Sequence, residues 1–219
     1  MKPLAFIMVV ALLAGPFAGP AAAQTTWSIG FKGGVSLADF GGDDIDSDAT
    51  EARTAFAGGF FAQADVAKNF GVRVEGLYHM RGAVGETDDL DGSIKLDYIE
   101  FPILLLGQVP ATETVTLSAF AGPVLAVNAK ADAEGSSGGF SATVDIQDYV
   151  SSFEFAMAFG LGVVVDAGSV RIIFDGRYQL GLTTVDDGLG ELLGAPDELD
   201  IKNQGWVFMA GVGFPVGGD

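Results

Sequence analysis

The stretch "FEFAMAFGLGVVV", residues 153–165, decides the fold. Large apolar side chains occupy every second position from Phe153 to Val165, and the positions between them carry Glu154, Ala, Gly and Val164. This alternation predicts an extended strand, because successive side chains of a strand point to opposite faces. In a soluble protein the smaller face would carry solvated residues such as Lys, Glu or Thr. Here it is almost all Ala and Gly, which indicates that the large apolar face points outward.

The first 23 residues predict a secretory signal peptide. Met1–Lys2 is a short positive start, Leu4–Ala14 is apolar, and Ala21–Ala23 is a small-residue cleavage region. Pro16 and Pro20 argue against the alternative, which is a buried N-terminal helix. The chain has no cysteine, which excludes disulfides and a lipid anchor at the cleavage site. We therefore expect a Sec-exported protein whose mature part is residues 24–219.

The mature chain contains eight segments with a hydrophobic period of two, at residues 27–37, 54–66, 70–80, 94–106, 115–127, 153–165, 170–182 and 206–214. Each has about the 9–11 residues, or slightly more, that a tilted membrane strand needs. Pro102 and its β-branched and aromatic neighbours argue against a helix in the fourth segment. No run of about 18 uninterrupted apolar residues follows the signal peptide, so we expect no transmembrane helix.

Short and long connections alternate between these segments. Short turns lie at 67–69, 107–114 and 166–169, and long loops at 38–53, 81–93, 128–152 and 183–205. Within these loops, the spans 39–52, 82–92, 129–149 and 186–202 hold 20 of the 29 acidic residues and only two of the 11 basic ones, and so account for the formal charge of −18. Short periplasmic turns and long outer loops are typical of outer-membrane barrels.

We therefore predict an all-β fold, an eight-stranded antiparallel up-and-down transmembrane β-barrel in the outer membrane of a Gram-negative-type bacterium. The alternative is a soluble sandwich or lipocalin-like barrel, in which the same alternation is reversed.

The inward faces of the predicted strands carry charges of both signs among small residues. An eight-stranded barrel is only just wide enough inside for side chains, so paired charges would fill it. We predict a polar network in the lumen formed by Lys32, Asp65, Arg73, Glu75, Glu100, Glu154, Arg171, Asp175 and Arg177.

The fourth segment changes its alternation near Asp97–Tyr98. Ile94 and Leu96 occupy even positions, whereas Ile99 and the apolar residues after it occupy odd positions. This change predicts either a β-bulge or a strand whose residues before Tyr98 already lie outside the membrane.

The mature chain resembles the small outer-membrane β-barrel family known as porin-family or PorT-like proteins. The residues that carry the resemblance are "GFKGG" (30–34), "YIEFP" (98–102), "AGP" (121–123), "RYQLGLT" (177–183) and "GVGF" (211–214), in matching order. The resemblance implies an eight-stranded outer-membrane barrel with Glu100 and Arg177 in the lumen. It implies no reaction. The sequence departs from the family at its end, where five residues follow Phe214.

The residues offer little catalytic chemistry. His79 is the only histidine, and its neighbours in sequence form no Ser-His arrangement and no zinc site. We interpret it as a polar residue at the rim of the lumen, and we predict no enzymatic activity and no cofactor.

The long loops carry an acidic collar that we expect to lie outside the cell, formed by Asp43, Asp44, Asp46, Asp48, Glu86, Asp88, Asp89, Asp186 and Asp187. Its first part begins like a calcium-binding EF-hand loop, but Ala49 replaces the required glycine and Ala55 the final glutamate. The carboxylates at Asp43, Asp44, Asp46 and Asp48 therefore either bind divalent cations weakly or are simply solvated.

Two functions remain open on the sequence. One is a structural or interaction barrel, a monomer in outer-membrane lipid with an extracellular partner or divalent cations at its acidic loops. The other is a narrow pore or a barrel that transports a small ligand. The acidic balance disfavours nucleic acid as a partner.

Overall fold

The computed structural model describes residues 25–42, 51–87, 90–137, 140–188 and 199–216. They form β1 (Thr26–Gly41), β2 (Glu51–Ala67), β3 (Phe70–Thr87), β4 (Leu90–Pro110), β5 (Val115–Ser137), β6 (Phe140–Asp145), β7 (Phe153–Ala167), β8 (Val170–Gly181), β9 (Lys202–Val216) and one 3₁₀ turn, Gln147–Tyr149. In these ranges no helix is long and apolar enough to cross a membrane. The predicted signal peptide and the acidic stretch Asp43–Asp48 lie outside the described residues.

Eight of the strands close into an antiparallel barrel, which confirms the predicted fold. β1 pairs with β2 and with β9, and the ring continues through β3, β4, β5, β7 and β8. β6 pairs with the last part of β5 and lies outside the ring. Because each barrel strand has two neighbours, the backbone groups of the wall are paired, as a bilayer requires.

Strand β7 contains residues 153–165, and its large apolar face points outward as the alternation predicts. Phe153 and Leu161 are exposed, whereas Glu154 and Ala158 are buried inside the barrel. A Cβ atom at Gly160 would lie 2.3 Å from a carbonyl oxygen of β8, so only glycine allows this approach of the two strands. The small face of β7 is therefore the lumen wall.

Two of the predicted long loops are mostly strand. β3 and β4 stay paired as far as Thr87 and Leu90, and β5 continues to Ser137. β4 also extends into the predicted turn at 107–114 and ends at Pro110. Backbone pairing in a hairpin needs no apolar face, so the ladder continues where the hydrophobic alternation ends.

The alternation of β4 does not change. Leu96, Tyr98 and Glu100 are all buried, and Ile99 between them is exposed. The irregularity lies opposite, on β5, because the pairing shifts between Asp97 and Tyr98 and skips one residue of β5. The expected bulge is thus present at this level, but the neighbouring strand carries it.

Ile94 and Leu96 are apolar but lie on the same inner face as Glu100. They are accommodated there because the lumen is apolar at its long-loop end. Strand ends and loops form there a cluster that we call the cap, made of Phe40, Ala83, Leu96, Tyr98, Ala126, Ala131, Ile146, Val150, Val185 and Ile201.

Asp88 and Asp89 of the predicted acidic collar lie outside the described residues, and the side chains described are those of Asp186 and Asp187. Of these two, Asp186 does not face solvent. Asp186 is buried beside the cap, where its carboxylate accepts the backbone N–H of Leu199 at 2.6 Å and that of Gly188 at 3.0 Å. Its role is to hold the loop, because a carboxylate that caps backbone donors makes strong hydrogen bonds. Asp187 is exposed, as expected.

Candidate functional site

The structure places all nine residues of the predicted polar network on the inside of the barrel. They form three groups along the lumen, which we call the central group, the long-loop group and the short-turn group after their positions. Beside them, a strip of the wall from β4, β5 and β7 is apolar and carries Leu104, Leu106, Phe120, Val124, Ala156 and Ala158. The interior is therefore less uniformly polar than the sequence suggested.

The central group joins three cations to two carboxylates. Lys32 donates to Glu75 and, at 2.8 Å, to Asp175. Arg73 Nη1 donates to Asp175 at 2.8 Å, and Arg177 Nη1 donates to Glu75 Oε2 at 2.8 Å. The side chains in these pairs are at most 1% exposed, so the ion pairs are shielded from solvent.

The long-loop group is built around Arg81, which is not among the nine residues of the predicted network. Arg81 donates to Glu100 and, at 2.6 Å, to Glu154, and its guanidinium lies 5.2 Å from the ring centroid of Tyr98 in the cap. The alternation of β3 continues past Met80, and that continuation is the signal that would have placed Arg81 in the lumen.

His79 belongs to the same group and is buried in the lumen, not placed at its rim. Its Nδ1 lies 2.8 Å from Glu100 Oε1, and its Nε2 lies 2.7 Å from Ser36 Oγ. These contacts have the connectivity of a Ser-His-acid relay, brought together from β1, β3 and β4. The adjoining cavity measures about 10 Å³, which is room for about one water molecule and not for an acyl substrate.

The short-turn group is open to solvent. Arg171 donates to Asp65 at 2.8 Å, to Asp166 at 3.0 Å and to Ser28 at 3.0 Å. Arg171, Asp65 and Asp166 border a vestibule of about 250 Å³, which Lys68 and Gln108 also line. The lumen is thus open to solvent at the short-turn end and apolar at the other.

Among the residues that the structure describes, the deeply buried charges of the lumen balance. Lys32, Arg73, Arg81 and Arg177 face the same number of carboxylates, which are Glu75, Glu100, Glu154 and Asp175. A buried charge is tolerated only when it is paired and hydrogen-bonded. The four cations and four carboxylates meet this requirement when His79 is neutral.

The outer wall is the reverse of the lumen. Phe159, Tyr178, Trp206 and Phe208 form an aromatic ladder on it, with ring centroids 5.2–6.1 Å apart. Phe159, Trp206 and Phe208 of this ladder also line an open apolar groove of about 1030 Å³, where Gly176 has no side chain. Such a surface suits contact with lipid tails and interfacial aromatic positions.

An apolar outer wall around a charged, enclosed lumen defines a transmembrane β-barrel of the outer membrane. The chain belongs to the outer membrane protein beta-barrel domain family, whose model matches residues 22–187. Its localisation is therefore the outer membrane. No curated protein sequence matches the chain.

Solved structures with the same fold include a major outer membrane protein from Thermus thermophilus, at a TM-score of 0.55 and 10% identity over 88% of this chain and 100% of that one. OprG from Pseudomonas aeruginosa is similar at a TM-score of 0.50 and 13% identity, over 89% of this chain and 97% of that one. Ail, the attachment invasion locus protein of Yersinia pestis, matches at 17% identity and a TM-score of 0.36, over 87% and 97% of the two chains. At these identities the likeness concerns the fold alone.

Proposed function

We propose that this protein is a non-conducting outer-membrane barrel with a structural or interaction role, acting as a monomer and presenting its outer loops to the surroundings. The observation that carries the proposal is the balanced set of eight buried charges across the lumen. Eight strands leave an interior that side chains can fill, and paired charges hold one another in place there.

The cap supports the same proposal at the long-loop end. Ile146, Val150, Val185 and Ile201 come from the loops and pack on the strand residues above Tyr98. A hydrated ion would have to cross this apolar layer after leaving the charged lumen, and both steps carry a large desolvation cost.

A catalytic role is not part of the proposal. The Ser36–His79–Glu100 contacts are enclosed, and the small cavity beside them has no space for a substrate. These contacts instead satisfy the hydrogen-bonding groups of His79 inside the wall.

Planar-bilayer recording tests the closed lumen. We expect no steady single-channel conductance from the wild type and leak currents from Arg177→Ala, which removes a fully buried cation of the central group. Arg171→Ala is the matched control, because Arg171 lies on the same strand in the open vestibule and should leave the barrel silent. Large, steady conductance from the wild type would reject the proposal and favour a transport barrel.

We further propose that the acidic loops are the interaction surface, for divalent cations or for an extracellular partner. The concentration of the −18 charge in the long loops supports this, because clustered carboxylates repel one another until a cation or a basic partner neutralises them. Calorimetric titration with calcium and magnesium should detect weak binding that is lost when Asp43, Asp44, Asp46 and Asp48 are all changed to Asn. Absence of binding at millimolar ion would restrict the loops to solvation or to a protein partner.

A further inference from the structure

Strand β6 differs from the eight barrel strands because only one of its edges is paired within the described residues. It pairs with β5, from Phe140 opposite Ser137 to Asp145 opposite Asp132, and with no other described strand. The five residues from Ser141 to Asp145 are all exposed, so neither face of the strand is covered. β6 is therefore an open edge strand on the long-loop side of the barrel.

The pairing with β5 determines which backbone groups of β6 face the open edge. Ile146 donates its N–H to the carbonyl oxygen of Ala131 at 3.0 Å, so these residues form a hydrogen-bonded pair at the end of the ladder. In an antiparallel ladder such pairs alternate with non-hydrogen-bonded pairs. Val144 therefore bonds to β5, whereas Thr143 and Asp145 direct their N–H and C=O groups outward.

The sequence of β6 does not protect this edge. Natural proteins commonly block an open edge with lysine, proline or a β-bulge, because its free backbone groups can pair with another chain. β6 reads "FSATVD", with neither lysine nor proline, and its register with β5 is continuous. Its Phe, Thr and Val residues favour extended structure. An open edge of this kind suits the addition of a strand from a partner.

We propose that β6 binds an extended segment of another protein as an additional antiparallel strand, in which apolar and basic residues alternate. The proposal rests on the proposed interaction role of the long loops and names the kind of partner that they bind. Antiparallel pairing is favoured because every strand pair among the described residues is antiparallel. This pairing is also slightly more stable per residue than parallel pairing.

The apolar residues of the partner follow from a row of side chains that crosses four strands. From β3 to β6, the successive register partners in this row are Ala83, Ile94, Ala133 and Val144. The first three lie in the cap or pack against it, whereas Val144 at the end of the row is 57% exposed. An apolar residue opposite Val144 would continue the row and cover this side chain.

The basic residues of the partner follow from the charges on the other face of the same sheet. The carboxylates of Asp132 and Glu134 on β5 are each paired with a lysine. Asp145 and Asp148 are exposed and form no salt bridge within the described residues. A lysine or arginine opposite Asp145 would neutralise it. The same charges disfavour a second copy of this chain as the partner, because its own acidic loops would be repelled.

A synthetic peptide tests the proposal on the wild-type protein in lipid nanodiscs. The peptide has about seven residues, enough to pair along β6, and lysine alternates with valine in it. In the proposed register its lysines lie opposite Thr143 and Asp145 and bond to the edge, whereas its valines turn their backbone N–H groups away. N-methylation of the lysine backbone should therefore weaken binding by about tenfold or more, and N-methylation of the valine backbone should leave it nearly unchanged. Isothermal calorimetry measures the three affinities.

Thr143→Pro tests the same edge from the side of the protein. It removes an outward N–H and keeps the ladder to β5, and a strand tolerates proline where its N–H faces solvent. We expect the unmethylated peptide to bind about tenfold more weakly. Thr143→Ala keeps the N–H and is the matched control, which should bind like the wild type. Asp145→Asn should weaken binding severalfold, because the basic contact is lost.

Three results would overturn the added strand. Equal binding of all three peptides would show attraction by charge alone. Loss of binding on methylation of the valines instead of the lysines would reject the antiparallel register. Absence of binding at millimolar peptide, or a dimer that Thr143→Pro dissolves, would show that the edge does not take this partner. The cation titration is a separate result, because cation binding without peptide binding would leave the acidic loops as an interaction surface and reject β6 alone.

Discussion

Arg177 and Arg171 lie on the same strand and the same inner face, and each donates through Nη1 to a carboxylate at 2.8 Å. Their surroundings differ. The side chains of Arg177 and Glu75 are 0% exposed, whereas those of Arg171 and Asp65 are 21% and 19% exposed. Equal geometry thus serves two different purposes. The buried pair is part of the packing that we propose closes the lumen, and the vestibule pair is a solvent-exposed contact that water can replace.

The largest expected effect comes from removing the buried arginine. Arg177→Met should lower the free energy of unfolding by about 3–5 kcal/mol, because Glu75 is then left buried beside fewer cations. Arg171→Met should lower it by less than about 1 kcal/mol, since Asp65 can be hydrated from the vestibule. Urea unfolding of both variants in lipid vesicles measures the difference. Equal losses would show that burial is not what separates the two pairs.

The next effect concerns the outer face of the same wall. Leu161→Arg, in the middle of the exposed face of β7, should cost about 2–4 kcal/mol, because the new charge meets lipid without a partner. Phe153→Arg, at the long-loop end of the same strand, should cost about 0–1 kcal/mol, since the charge can reach the interface. The same unfolding assay applies. A soluble barrel would tolerate both substitutions equally.

The smallest effect is the response of the two pairs to salt. At about 1 M salt, screening acts over roughly 3 Å, so the contribution of Arg171 should fall towards zero. The contribution of Arg177 should persist, because ions do not enter its surroundings. Repeating the two methionine substitutions at low and high salt checks this. A contribution of Arg177 that falls as strongly with salt would mean that the central group is open to solvent.

Much of the fold was predictable because the period-two alternation reports the environment of each strand directly. The opening stretch identified the outward face from side-chain size alone, and the alternation assigned Lys32, Glu75 and Arg177 to the lumen before any strand was paired. The same rule, continued past Met80, would have included Arg81. The rule failed where the environment changed along one strand, as at Leu96, because an inward apolar residue beneath the cap resembles an outward one in lipid.

The sequence by itself determined the barrel, its outward apolar face and all the inner charges except Arg81, since these depend only on the alternation along each strand. The tertiary structure decided which charges meet. Ser36, His79 and Glu100 come from three strands, and their contact follows from the register between those strands. The tertiary structure also decided that the loops cover one end of the lumen and leave the other end open to solvent. Register and loop packing are properties of the closed barrel, because they arise from contacts between residues far apart in the chain.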